Sequence, residues 1–364
     1  MTIVATLRER ASTEHRVALT PAVVRRLIKA GFEVWVEPGA GHGIGALDAA
    51  YEEAGAAVKA SPWKGADVVA AVGLPPSTVF SKFTSGQVLV GLLGARVDPA
   101  PLERLADKGI HPVSLDLLPR QVSRAQTMDA LTSQASVAGY RAVLVAANAY
   151  GSFLPMMVTA AGTAKPAKVL VMGAGVAGLQ AIGTARRLGA QVTGYDVRPD
   201  SRQEVKSLGA AFLETSVDAV GEGGYARELT AEESATQRAE IGAAIAGFDV
   251  VITTAQVPGR KPPELVSAEA VAGMRSGSVL VDLAASELGG NVAGSLPDRT
   301  VVTTGGVTVI GAGNLPSAMA PAASEAYARN IAAVIEAAYV DGQLSAVDEV
   351  IAAMTVASGK GVDL

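Results

Sequence analysis

At 364 residues the chain has room for two or three domains, and a 49% hydrophobic fraction with 40 glycines points to a packed, turn-rich globular protein. A net charge of −5 gives no reason to expect nucleic acid as a partner. No cysteine is present, which excludes disulfides, thiolate metal ligands and a cysteine nucleophile, and the three histidines (His15, His42, His111) are too scattered to suggest a metal site. Met1-Thr2-Ile3-Val4 runs directly into a strand-like segment, so no secretory leader is expected. No apolar run reaches the ~18 residues of a membrane span. Residues 331–340 come nearest, and Glu336 interrupts them. The chain is therefore expected to be soluble and cytoplasmic, with no direct membrane insertion.

In chain order, residues 2–7 read as a first strand and residues 8–16 as a charged loop. Thr20 stands at a helix N-cap with Pro21 at the first helical position, and the helix runs to about Lys29 and stops at Gly31. Residues 32–37 alternate like a strand, 38–45 form a glycine-rich loop, 48–54 a short helix and 56–58 a strand. Residues 66–72 and 87–92 read as buried strands, followed by a helix at 100–108 and a strand at 111–115. Strands alternating with helices predict a parallel, doubly wound sheet. This first half carries no phosphate-binding glycine pattern. Residues 120–139 read as a hinge region entering a helix over 128–147, and Pro166 closes the approach to a second domain.

That second domain opens on the strongest signal in the chain. Lys168-Val-Leu-Val-Met172 reads as a strand, Gly173-Ala-Gly-Val-Ala-Gly178 as a turn, the stretch to Leu188 as a helix, and Gln191–Tyr195 as a second strand ending at Asp196. Gly173 permits the tight turn, Gly175 lets backbone approach a pyrophosphate, and Gly178 lets helix pack on strand. The helix N-terminus offers free N–H groups and a positive dipole end to the phosphates. Asp196 stands where an acid accepts hydrogen bonds from ribose hydroxyls, and a carboxylate there favours NAD over the 2′-phosphate of NADP. Without that acid, the same spacing would be an ordinary strand–helix turn. Arg198, two residues on, could hold a phosphate, stack on the adenine or pair with Asp200.

After Asp196 the sequence predicts a helix at 202–208, a strand at 211–213 and a long loop containing Gly221-Glu-Gly-Gly-Tyr225. A helix at 232–246, a strand at 249–253, a helix at 268–274, strands at 278–282, 301–303 and 307–310, and a helix at 322–338 started by Pro321 complete the reading. The expected fold is α/β: two Rossmann-like doubly wound parallel-sheet domains with a cleft between them. The first is drawn from residues 1–128 plus 322–364, completed by the C-terminal helix, and the dinucleotide-binding second from residues 129–321.

The stretch from Pro119 to Asp129 is too polar for a core element. Arg120, Gln126 and Asp129 could hydrogen-bond a carboxamide, although a linker capping the next helix with Asp129 in its first turn would look the same.

Several segments together resemble one family over essentially the whole chain. They are Arg124-Ala-Gln-Thr-Met-Asp129, Ala138-Gly-Tyr-Arg-Ala142, Thr159-Ala-Ala-Gly-Thr163, Gly173 to Ala181, Gly223-Gly-Tyr-Ala226, Thr253-Thr-Ala-Gln-Val-Pro-Gly259 and Gly277 to Ala284. The family is the NAD(H)-binding subunit, domain I, of proton-translocating transhydrogenase. The resemblance implies that Gln126, Thr127, Met128 and Asp129 form the loop that holds the nicotinamide. Arg120 resembles that loop's arginine, but its spacing to Gln126 is one residue longer than in the family, which leaves Arg124 as its alternative. Thr132 stands where the family tends to have serine. Gly224 and Tyr225 resemble a loop that closes over bound nucleotide, and glycine hinges with an amphipathic aromatic suit such a role. Val176, Val197, Arg198, Gln237 and Gln256 match further nucleotide contacts beside Gly173, Gly175, Gly178 and Asp196.

By the same resemblance, Arg120, Gln126, Asp129 and Tyr225 orient the ring while hydride passes from NADH to NADP⁺ held in the NADP(H) site of a partner subunit. The assembly is membrane-bound through membrane-spanning partners, this subunit is peripheral to the inner membrane on its cytoplasmic side, and it forms a homodimer.

Alanine dehydrogenase resembles the chain in fold, including a segment like Arg16-Val-Ala-Leu-Thr-Pro21. An NAD-dependent amino acid dehydrogenase of that kind is the alternative reading. That family carries a lysine and a histidine in its first domain, and Gly73 and Gly94 stand about where they would be. Oxidising an amino acid needs a base, whereas moving hydride between two nicotinamides needs none.

Overall fold

The computed structural model describes residues 1–198, 200–216, 230–256, 261–340, 343–344 and 348–357. The chain divides into two compact units, Met1–Gln134 with Pro316–Leu364, and Ala135–Leu315. In the first unit, β1 (Ile3–Thr6), β2 (Glu33–Val36), β3 (Ala57–Val58), β4 (Val68–Ala70), β5 (Val88–Gly91) and β6 (His111–Ser114) lie in the order β3-β2-β1-β4-β5-β6, all parallel. The second unit carries a hairpin of β7 (Met157–Thr159) and β8 (Gly162–Ala164). Its sheet is built from β9 (Lys168–Met172), β10 (Gln191–Tyr195), β11 (Ala211–Phe212), β12 (Val250–Thr253), β13 (Val279–Asp282), β14 (Arg299–Val302) and β15 (Thr308–Gly311). The order is β11-β10-β9-β12-β13-β15-β14.

The helices are α1 (Pro21–Lys29), α2 (Asp48–Glu53), α3 (Ser77–Phe80), α4 (Ala100–Ala106), α5 (Ala130–Ala149), α6 (Val176–Arg187), α7 (Ser201–Ser207), α8 (Ala231–Ile245), α9 (Ala268–Ala272), α10 (Ala320–Ala338) and α11 (Glu349–Met354). Because successive strand residues point to opposite faces, each sheet feeds two cores. In the first unit, Val68, Ala70, Val88 and Val90 pack with Leu27 of α1 and Ile331 of α10, while Val69 and Leu89 pack with Leu102 and Leu105 of α4. In the second, Val169 and Val171 meet Ala142 of α5 and Ile182 of α6, while Leu170 and Met172 meet Ile241 of α8 and Val271 of α9. Strands buried on both faces read as continuous apolar runs, which is the pattern of residues 68–70 and 88–91. The two Rossmann-like sheets expected from the sequence are present.

Four details differ from the expectation. β14 runs antiparallel to β15, so the second sheet ends in one reversed edge strand. The β7–β8 hairpin turns on Ala160 and Ala161, which lack the Asn-Gly or Asp-Gly signal of such turns. The helices α3 and α11 are a turn or so long and carry too few residues to show a period. Thr20 does occupy the N-cap of α1 beside Pro21, but its hydroxyl donates to Glu325 at 2.9 Å instead of capping the helix.

In the first unit the strand order reverses between β1 and β4, the place where open α/β sheets receive ligands. Here the chain fills it with its own groups. The Val72 N–H donates to the Glu9 carboxylate at 2.6 Å. The buried Tyr327 hydroxyl lies 2.9 and 3.0 Å from the carbonyls of Ala71 and Val72 and accepts the Leu92 N–H at 2.9 Å. Burial pushes the Glu9 carboxyl up to about 7 from 4.5, helped by Glu14 and opposed by the Val72 N–H and Arg16.

A raised folded-state value means that the folded protein holds this proton more tightly than the unfolded chain does. The contribution is fully present below 4.5 and is lost as the pH rises through about 7. Denaturant unfolding across that window should show the native protein losing on the order of 3 kcal/mol relative to Glu9→Gln, a figure that follows from about 1.4 kcal/mol per unit. Parallel stability curves for the two proteins would contradict this.

Candidate functional site

The second unit reverses its strand order between β9 and β12, and the glycine turn sits there. Gly173 follows β9 with φ +98°, in the left-handed region, and its N–H donates to the Tyr195 carbonyl at 2.8 Å. A Cβ on Gly178 would overlap the Gly173 carbonyl oxygen, so only glycine lets the first turn of α6 lie on the loop. A Cβ on Gly139 of α5 would likewise overlap the Ala177 carbonyl oxygen, which accounts for the glycine in the Ala138-Gly-Tyr-Arg-Ala142 motif. At Gly175 the situation reverses: among the described residues nothing lies within 4 Å of a Cβ position. Gly175 is the N-cap of α6 and provides no side-chain cap. The turn therefore presents open space in front of an uncapped helix N-terminus, which is what a pyrophosphate needs.

Asp196 ends β10 with its carboxylate turned to the turn. The Ala174 N–H donates to it at 2.6 Å and the Arg198 N–H at 2.8 Å. The Arg198 guanidinium also donates to both carboxylate oxygens, at 3.1 and 3.2 Å. Arg198 thus folds onto Asp196, not onto Asp200, and this hydrogen bond raises its already high pKa. The arginine side chain is half exposed, so the pair is weak, of order 0–1 kcal/mol. Val176 and Val197 are exposed apolar residues directly after the turn and after Asp196.

Beyond β12, the Thr254 N–H donates to the Met172 carbonyl at 2.8 Å and its hydroxyl to the Gly173 carbonyl at 3.0 Å. The Gln256 amide donates to the Leu283 carbonyl after β13. Residues 254–256 therefore form a fixed wall beside the turn. Gln237 lies buried on α8. Gly224 and Tyr225 lie outside the described residues, as do residues 257–260.

In the first unit, a 3-10 segment, Ser123–Met128, carries Gln126 and Thr127 exposed and buries the Met128 side chain in the core. Any contact from Met128 to a ligand would come from its backbone. The Arg120 guanidinium donates to Asp129 at 3.0 Å and to the Thr132 hydroxyl at 2.7 Å. The Thr132 N–H and hydroxyl donate to Asp129 at 2.8 and 2.7 Å. Burial would raise the Asp129 carboxyl, but these bonds and the arginine outweigh it and hold the group below its usual range. Arg124 is engaged elsewhere, with Asp348 at 2.6 Å and Glu349 at 3.4 Å. The extra residue between Arg120 and Gln126 therefore does not keep Arg120 from Asp129.

The sequence reading overlooked Asn330, whose amide donates to the Thr127 carbonyl at 2.8 Å and so fixes the end of this segment from α10. A polar residue on the apolar helix 322–338 was the available signal.

The descriptions of the alanine dehydrogenase/PNT N-terminal and C-terminal domains match residues 5–138 and 142–362. A protein of Rickettsia prowazekii, named as the first segment of an NAD(P) transhydrogenase alpha subunit, is 42% identical, over 98% of this chain and 94% of its own. The crystal structure of transhydrogenase from Sinorhizobium meliloti matches with a TM-score of 0.89 at 41% identity, over 99% of this chain and 100% of that one. The alanine dehydrogenase of Bacillus subtilis is 32% identical over 79% of this chain and 71% of its own.

Proposed function

The chain belongs to the alanine dehydrogenase/PNT family, and from that premise we propose that it is the NAD(H)-binding subunit of a proton-translocating transhydrogenase. The observation that carries this reading is the Asp196 carboxylate, tied to the Ala174 N–H beside an open, uncapped helix N-terminus. The turn takes the pyrophosphate, Asp196 the ribose diol of the adenosine half, and the wall at 254–256 the nicotinamide half. Bound NADH supplies the hydride, and NADP⁺ on a partner subunit accepts it.

This chain's residues position and shield, and none of them needs to move a proton. We assign to Arg120 and Asp129, locked to each other and to Thr132, the recognition of the nicotinamide carboxamide together with Gln126. Tyr225 closes the site. The reading is supported by Gly73 and Gly94, which offer neither a lysine nor a histidine. Among the described residues no helix is long and apolar enough to cross a membrane. We place the proton path in membrane-spanning partners, which hold this subunit at the cytoplasmic face of the inner membrane.

We also assign a homodimer. The β7–β8 hairpin exposes Met157 and Val158, with Phe153 and Met156 exposed just before it. An isolated two-stranded hairpin is marginal in water, and a cluster of exposed apolar side chains on one calls for cover. A second copy of the chain supplies it.

The reaction is tested by incubating the chain with its NADP-binding partner, NADP⁺ and NADH deuterated at nicotinamide C4. The deuterium should appear in NADPH without exchange with water, and alanine with NAD⁺ should give no NADH. Loss of label to solvent, or robust alanine oxidation, would overturn the reading. For the dimer, sedimentation velocity of a Met156→Asp, Val158→Asp double variant should give monomer where the native chain gives dimer. An unchanged sedimentation coefficient would rule out the hairpin as the contact.

A further inference from the structure

The carboxylate of Asp282, at the end of β13, is fully buried. Hydrogen bonds satisfy it: the Thr253 hydroxyl at 3.0 Å, the N–H groups of Ala284 at 2.9 Å and Val292 at 3.0 Å, and the Ser295 hydroxyl at 2.5 Å. A Cβ on Gly290 would overlap both Asp282 and Ser295, so the loop folds over the carboxylate only because residue 290 has no side chain. A buried carboxyl group bonded by four donors fixes the loop that supplies three of them.

What the loop then delivers is Asn291, also fully buried. Its side chain grips Ala255 from both sides, accepting the Ala255 N–H at 3.0 Å and donating to the Ala255 carbonyl at 3.0 Å. It donates further to the Pro263 carbonyl at 2.7 Å, and its own backbone carbonyl accepts the N–H groups of Leu265 and Val266 at 2.8 and 2.9 Å. Ala255 lies between Thr254, bonded to Gly173, and Gln256, bonded to Leu283. One asparagine therefore sets the path of the whole wall on the β12 side of the glycine turn.

We propose that Asn291, itself placed by Asp282, is a positioning residue for the nicotinamide half of the bound dinucleotide. The inference rests on the NAD(H)-binding reading and adds a division within the site. In a doubly wound sheet the adenosine half lies toward β10, where Asp196 waits, and the nicotinamide half toward β12 and β13. Asn291 touches only the second side. Its loss shifts the wall while leaving the turn, the helix N-terminus and Asp196 as they are.

The test compares NADH with ADP-ribose, which keeps the adenosine and pyrophosphate and lacks the nicotinamide. In Asn291→Ala the Kd for NADH should rise about tenfold, as expected when several buried hydrogen bonds are lost, while the Kd for ADP-ribose stays within about twofold. Asn291→Ser keeps a small polar group that can hold one of these bonds and loses the others. It should show the same split at smaller amplitude, and it serves as the readout if Asn291→Ala fails to fold. Equal weakening of both ligands would mean that Asn291 only stabilises the unit, and unchanged NADH affinity would mean that the wall does not depend on it. Either result overturns the proposal and leaves the NAD(H) reading intact, whereas a native chain that does not bind NADH at all removes the ground for both.

Discussion

The structure of the second unit depends on one steric constraint, the approach of two backbones at Gly178. With a hydrogen in place of a methyl group there, the first turn of α6 rests on the Gly173 carbonyl, and Gly139 lets α5 come down on Ala177 in the same turn. The helix N-terminus is thereby held directly over the end of β9, uncapped and facing open space at Gly175. Asp196 then closes the frame through the Ala174 N–H and ties the end of β10 to the turn. Any side chain at Gly178 would lift the helix, separate the N–H groups from the acid and break a frame in which each part locates the next.

The two units repeat one sheet logic with opposite outcomes. Both reverse their strand order beside the first strand of the sheet, where a crevice opens beyond the strand ends. In the second unit, Gly175 leaves space in front of a helix N-terminus that carries no side-chain cap. In the first, Glu9 and Tyr327 claim the donors and carbonyls of the loops after β4 and β5.

The parts of this fold legible in the sequence were those governed by period and by glycine. Continuous apolar runs such as Val68–Ala70 announced strands buried on two faces, and the turn from Gly173 to Gly178 announced its own geometry. What escaped were features set by pairing and not by local preference. The antiparallel β14 has the same composition as a parallel strand, and the hairpin at residues 157–164 turns on two alanines. The Arg120–Asp129 contact was equally hidden, because counting residues does not trace a path, and the tight turns of Ser123–Met128 bring the two side chains together. Arg198 was ambiguous for a similar reason: it had several partners in reach, and the one it takes, Asp196, is the acid the motif itself supplies.

The proposed function turns on which dinucleotide Asp196 admits. A carboxylate suits two free ribose hydroxyls and repels a phosphate on one of them, and Arg198 is folded onto that acid. Titration of the chain with NADH and with NADPH, followed by nucleotide fluorescence, measures this directly. NADH should bind at least about tenfold more tightly, and Asp196→Ala should weaken NADH and narrow the gap. Equal affinity for the two, or a preference for NADPH that survives in the variant, would contradict the NAD(H) assignment.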